Sequence, residues 1–333
     1  MRVRARSRRR FSSTGATLQI RSRSPPCRDR TDGGSCVTKV PFTHSLFESP
    51  RFGVGGYIFE ELEPEDIQTV ASFGFTGIEP YRGLTMRYVD RPHELKEILD
   101  SNCVAMVTCS NGGPGQECDF INPHSRQRSI DDHFAFARDF LTVFGCKHFK
   151  MNMGSRPPGG PTRDDIARLG DALTELGRRV AELGILLAPH PHIWGPVERP
   201  EEIIGLMEHS DPQYVYLTLD TAHVNLGGGD PVWFVERYWE RIAALHWKDT
   251  KPSCRGYTGP TPTIEMHREE VLYKNLGSGG VDHERIWRIV QERGYRGWIT
   301  LDLDPPRSDE PSVPEKIAIN KRFLTDTLKV ASL

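Results

Sequence analysis

Several things are scarce in this 333-residue chain, and each scarcity excludes a class of protein. No apolar run approaches the ~18 consecutive residues a membrane helix requires, so no membrane association is expected. Net charge is almost absent: 43 Lys and Arg oppose 45 Asp and Glu for a formal −2. That balance removes the electrostatic warrant for a nucleic-acid partner, which calls for a basic stripe. Cysteines number seven, at 27, 36, 103, 109, 118, 146 and 254, an odd count without C-x-x-C spacing. They read as reduced packing thiols of a cytoplasmic enzyme, not as a disulfide framework. Acidic residues are missing before Asp29, in a stretch rich in Arg and Ser. Residues 1–49 can bury little apolar surface and are expected to be a disordered basic extension. Their composition fits a transit peptide; an incidental tail or an upstream start codon fits equally. No apolar h-region follows Arg8-Arg9-Arg10, which argues against a secretory signal.

What is present is a regular alternation. From Phe52 onward, short apolar runs alternate with longer amphipathic segments, the pattern of a parallel sheet with crossover helices. Eight repeats are counted, with strands expected at 53–58, 76–79, 104–108, 148–153, 185–190, 215–220, 242–246 and 298–302. Helices are expected near 64–73, 91–101, 126–144, 162–183, 199–209, 231–240, 282–293 and 314–329. Gly74, Gly145, Gly184 and Gly294 stand where helices stop. Pro64 and Pro231 stand in first turns, where a missing N–H costs nothing. The expectation is an α/β fold, a single-domain (β/α)8 TIM barrel over 50–333, since barrels run to about 250 residues as one unit. One connection, from Asp249 to Asp282, is too long for a bare loop and carries several Gly and Pro. It reads as a lid over a small-molecule substrate, with a contact in a homo-oligomer as the alternative.

Four of the apolar runs end in side chains that hold metals or move protons: Leu187-Ala188-Pro189-His190-Pro191-His192, Leu217-Thr218-Leu219-Asp220-Thr221-Ala222-His223, Ala244-Leu245-His246-Trp247-Lys248-Asp249 and Ile299-Thr300-Leu301-Asp302-Leu303-Asp304. Strand ends of one kind converge at the C-terminal rim of a barrel. Two imidazoles and two carboxylates, His190, Asp220, His246 and Asp302, form the expected ligand set. Mixed N/O ligands suit one divalent transition metal, Mn, Co, Fe or Zn, without choosing among them. His192, His223 and Lys248 are candidates for proton transfer. A lysine beside a cation would lose its charge easily and serve as a base; the alternatives are a Lys248–Asp249 ion pair and a His223 hydrogen bond to Asp220. Glu79, Lys150 and Asn152, at the ends of the second and fourth strands, are candidates for binding a polyol, with rim salt bridges as the alternative. Trp194 is a candidate pocket wall.

Leu219-Asp220-Thr221-Ala222-His223, Gly227-Gly228-Gly229-Asp230-Pro231, Arg241 to Asp249, and Asn275 to Asp282 together resemble the xylose-isomerase-like sugar isomerase and epimerase superfamily over about 52 to 330. The resemblance implies a (β/α)8 barrel with one divalent metal at the rim. Epimerases and ketose isomerases of the group carry Glu at the strand-five and strand-eight positions, and here those positions are His190 and Asp302. The run His190-Pro191-His192 with Val197 to Ile203 is instead similar to inosose dehydratase-like members. That implies loss of water from a keto-sugar or keto-polyol: His192 or Lys248 removes a proton α to the ketone and His223 protonates the departing hydroxyl. An isomerase or epimerase, or a lyase acting on 3-oxo-glycosides, are the alternatives. A DNA-repair endonuclease of the superfamily would need further His and Asp ligands and a positive face. A non-catalytic sugar-binding barrel would not need a transition metal.

Overall fold

The computed structural model describes residues 46–112 and 115–333. The expected extension over 1–45 lies outside the described residues. Within 46–49, Phe47 donates its N–H to the Arg296 carbonyl at 3.0 Å and sets its ring edge-on to Trp298.

Eight parallel strands alternate with helices in the expected order. They are β1 (Arg51–Gly55), β2 (Gly77–Glu79), β3 (Ala105–Met106), β4 (His148–Met151), β5 (Leu186–Pro189), β6 (Leu217–Asp220), β7 (Ile242–Trp247) and, after a short hairpin, β10 (Trp298–Leu301). Their neighbours run β3-β2-β1-β10-β7-β6, a parallel bridge from Leu187 to Val215 leads to β5, and β5 pairs with β4. That order is the order of a TIM barrel, with no hydrogen-bonded pair between β3 and β4 among the described residues. Outside it lie α1 (Pro64–Ser72), α2 (Pro92–Ser101), α3 (Arg126–Asp139), α4 (Arg163–Ala181), α5 (Pro200–His209), α7 (Pro231–Arg237), α9 (His283–Glu292) and α10 (Val313–Arg322). Gly74, Gly145, Gly184 and Gly294 have φ of 83°, 68°, 75° and 67°, the left-handed helix stops that their spacing suggests.

The longest helix shows how sequence sets an element. Thr162 Oγ1 accepts from the Asp165 N–H, and the Asp165 carboxylate accepts from the Thr162 N–H, closing both ends of a capping box for α4. Ile166, Leu169, Leu173, Leu176 and Val180 then fall on one buried face.

Several expected segments are shorter than anticipated. Residues 56–58 form a 3-10 turn rather than strand, and Gly56 there passes so close to Pro80 that a Cβ would stand 2.8 Å from its Cα. The segment 126–144 breaks at Phe140, and the last helix widens into a π turn at Phe323–Thr327. Two helices appear that periodicity does not announce: α6 (Thr221–Leu226) directly after β6, and α8 (Ile264–Glu270) inside the long connection. That connection also contains a two-stranded antiparallel hairpin, β8 (Asp249–Thr250) with β9 (Tyr273–Lys274). The five cysteines among the described residues are unpaired. No described helix is long and apolar enough to cross a membrane.

Candidate metal centre and active site

Alternation along β7 aims its side chains. Trp247 packs outward with ring centroids 5.9 Å from Phe52 and from Trp287 of α9, so His246 points into the barrel. Register sets Asp220 of β6 and Thr300 of β10 beside His246. Asp302 and Asp304 follow on the face of Thr300.

Asp220 ends β6 and caps α6. Its Oδ1 accepts from the backbone N–H groups of Ala222 and His223 at 2.8 and 2.9 Å, which leaves Oδ2 free. The alternative expected for His223, a side-chain bond to Asp220, is replaced by this backbone bond; its imidazole Nδ1 lies 2.9 Å from the Tyr273 hydroxyl instead. Among the described residues, His223 Nε2, both ring nitrogens of His190 and Asp220 Oδ2 have no hydrogen-bond partner although buried. One ligand atom each from His190, Asp220, His223 and Asp302 lies within 4.8 Å of the others. Buried polar atoms left unpaired are costly, so their convergence is an argument for a cation that would satisfy them.

His246, expected as a ligand, stands at the edge of this group. Its Nε2 is 2.8 Å from Glu79 Oε1, while Nδ1 is 3.4 Å from Asp302 Oδ2 and 3.9 Å from Asp220 Oδ2. A histidine with one nitrogen fixed by a carboxylate and the other turned to a ligand cluster has the usual form of a metal-binding imidazole. Both His223 and His246 therefore fit a cation. Glu79 is committed to this task, since its other oxygen accepts from Thr300 Oγ1 at 2.7 Å.

Electrostatics separate the groups. Burial, with the neighbouring Asp302 charge, pushes Asp220 up to about 7. Burial works against the charge of Asp302 too, but Lys248 and His246 outweigh it and hold that carboxyl well below the usual range. His246 rises to about 9 because Glu79 and Asp302 outweigh its burial. For Lys248 burial is likewise outweighed, by Asp302 and Asp304: its Nζ is 3.6 Å from Asp302 Oδ1 and 2.6 Å from Asp304 Oδ1, and its pKa lies above the ordinary lysine value. These two carboxylates favour its ammonium form. Its partner is also Asp304, not Asp249, whose carboxylate is filled by the N–H groups of Thr250, Gly279 and Val281. His192 behaves oppositely. Burial is the main cause of its fall to about 4, and its Nδ1 donates to the Ile193 carbonyl, so the neutral ring keeps a free lone pair on Nε2.

A cavity of about 610 Å³ opens above these groups. Nine of the eleven expected site residues line it: Glu79, Lys150, Asn152, His190, His192, Trp194, His246, Lys248 and Asp302. Asp220 and His223 are not on its lining and are 0% and 2% exposed. Lys150 Nζ stands 3.9 Å from Glu79 Oε1. Trp194 donates its indole N–H to the Pro262 carbonyl at 2.8 Å, and Ile264, His267, Arg268 and Tyr273 of the long connection complete the wall. The expected lid is a folded roof.

Sequence reading missed Asn111, Tyr273 and the role of Asp304. Asn111 holds the backbone of Asn152 at both ends, accepting from its N–H at 2.6 Å and donating to its carbonyl at 2.9 Å. Asn111 lies in no motif. Tyr273 lies in the long connection, whose length alone was the signal.

Strand ends of a parallel barrel that gather histidine and carboxylate ligands under a roofed cavity define a TIM-barrel protein with a candidate metal site. The family model described as xylose isomerase-like TIM barrel matches residues 67–325, and the chain belongs to that family. The chain is 32% identical over 181 residues to an inosose dehydratase of Lacticaseibacillus casei, covering 51% of this chain and 57% of the relative. It is 30% identical over 215 residues to an inosose dehydratase of Clostridium botulinum (strain Alaska E43 / Type E3), covering 58% and 68%. The match thus spans little more than half the length of the first relative. Among solved structures, an IOLI protein with a binding zinc atom superposes with a TM-score of 0.67 at 16% identity, covering 84% of this chain and 98% of the other. The probable 3-DHS dehydratase AsbF from Bacillus anthracis gives 0.61 at 13% identity, covering 83% and 98%.

Proposed function

We propose that this chain is a divalent-metal-dependent carbon–oxygen lyase that removes water from a keto-polyol or keto-sugar of the inosose kind, with residues 50–333 as its single barrel domain. The observation that carries the reading is the convergence of buried, unpartnered His190, Asp220 and His223 atoms with Asp302 within 4.8 Å. The partial likeness to inosose dehydratases supports the choice of substrate class. His190, Asp220 and Asp302, with His223 or His246, would hold the cation. When bound there, a divalent metal supplies Lewis acidity that stabilises negative charge on a ketone oxygen.

The chain's own residues divide the proton traffic. His192 is neutral at physiological pH and its Nε2 lone pair takes the proton α to the ketone. Lys248, kept as an ammonium by Asp302 and Asp304, is the donor to the β hydroxyl. The C–H bond breaks, the α–β double bond forms, and the hydroxyl leaves as water. Lys150 and Asn152 donate to the remaining hydroxyls, and the roof with Trp194 and Tyr273 limits water.

Full-length protein loaded with Mn²⁺ and mixed with scyllo-inosose should develop the absorbance of a conjugated dicarbonyl product, and a chelator should abolish it. A flat trace accompanied by interconversion of free ketoses overturns the lyase in favour of an isomerase or epimerase.

A further inference from the structure

One residue of the roof reaches down to the candidate ligands. Tyr273 of β9 sets its hydroxyl 2.9 Å from His223 Nδ1, and its ring centroid lies 4.3 Å from Lys248 Nζ and 4.7 Å from the ring of His267. Its hairpin is fastened at several points. In register Tyr273 faces Thr250, whose Oγ1 accepts from Asn225 Nδ2 at 2.9 Å, on the same helix α6 as His223. Asp249, next to Thr250, accepts from the N–H groups of Gly279 and Val281 beyond β9 at 3.0 and 2.9 Å. Tyr273 is 7% exposed and lines the cavity.

The imidazole decides where the proton of that hydroxyl can go. A neutral imidazole carries one N–H and one lone pair. His223 Nε2 is buried and has no hydrogen-bond partner among the described residues, and His223 belongs to the group whose ligand atoms converge. With Nδ1 committed to Tyr273, Nε2 is the atom left to face a cation, and it does so only with its lone pair. Nδ1 then carries the proton and donates to the Tyr273 oxygen. The tyrosine O–H cannot point back at His223, and among the described residues that hydroxyl has no second hydrogen-bond partner. It is left to donate into the cavity.

We propose that Tyr273 is a substrate-binding residue supplied by the roof: its oxygen accepts from His223 Nδ1–H, and its O–H donates to a hydroxyl of the bound polyol ring. This deepens the lyase reading and rests on it for the cation that His223 faces. Tyr273→Phe tests it, because the variant keeps the ring and its contact with Lys248 and removes only the hydroxyl. Full-length chains at saturating Mn²⁺ are titrated in a calorimeter with scyllo-inositol, a ring that lacks the ketone and cannot react. The variant should bind it about tenfold more weakly than wild type. With scyllo-inosose, KM should rise by a like factor while kcat stays within about threefold, as for a contact made equally before and in the transition state. The wild-type chain supplies a measurement that needs no folded variant. Nitrogen-15 spectra of histidine-labelled, Zn²⁺-loaded protein should show the His223 ring protonated on Nδ1, its signal identified by loss in His223→Gln. Equal affinity of the two chains for scyllo-inositol, absence of binding to either, a kcat loss at constant KM, or a His223 ring protonated on Nε2 overturns the proposal. Turnover of scyllo-inosose by wild type alongside any of these overturns the tyrosine's role alone. An Nδ1-protonated ring and the tenfold difference, with scyllo-inosose left unreacted, overturn the lyase alone.

Discussion

At the scale of single residues, the site works by dividing labour between nitrogens and oxygens of the same side chain. Asp220 gives Oδ1 to a helix start and keeps Oδ2; His246 gives Nε2 to Glu79 and keeps Nδ1. Glu79→Gln removes the charge that orients His246 and should weaken metal affinity by about 10- to 100-fold. His190→Ala should abolish stoichiometric loading outright. Elemental analysis and metal titration of the two variants, beside wild type with matching circular dichroism, check both outcomes; unaltered affinity in both would remove the metal assignment. The candidate ligands were legible in the sequence because each closes its own apolar run. Their supports were not. Glu79 and His246 are 167 residues apart, Tyr273 and His223 are 50 apart, and Asn111 and Asn152 are 41 apart. Such pairs follow from barrel closure and loop folding, which no local pattern encodes.

Elements show where the chain has no slack. Gly177 in α4 approaches the carbonyl of Tyr214 so closely that a Cβ would stand 2.4 Å from its oxygen. Gly177→Ala should therefore cost about 1–3 kcal/mol through overpacking, read as a lowered urea midpoint. An unchanged midpoint would mean that the helix slides freely on its neighbour. All eight barrel strands could be located from apolar runs and their punctuation, but their ends shifted by a few residues. The hairpin and α8 escaped notice because each is held by contacts with the barrel top instead of by its own periodicity. The Thr263 hydroxyl that caps α8 is the one local cue.

For the molecule as a whole, two responses follow from its buried groups. His133, His148 and His283 are each lowered to about 4, chiefly by burial, from an ordinary value of 6.5. The unfolded chain takes up these protons as the pH drops below 6.5 and the folded chain resists until about 4. Their contribution to stability is complete above 6.5 and is lost through that interval. Urea midpoints measured from pH 7 to pH 4 should fall steadily, and His133→Gln, which cannot titrate, should reduce the slope. A cation that binds only the folded barrel adds about 2.7 kcal/mol when present at a hundredfold excess over its Kd. Thermal unfolding with and without chelator should accordingly differ by several degrees, and coincident curves would argue against a resident cation.

Trp194 has one further consequence. Its backbone sits at φ 72°, its N–H is held by the Glu198 carboxylate at 2.8 Å, its indole donates to Pro262, and its ring faces His267 at 5.7 Å. The indole is thereby a native optical reporter, pinned to the wall on one side and to the roof on the other. Anything that enters between the two alters its contact with water, so its emission should follow occupancy in real time without an added dye.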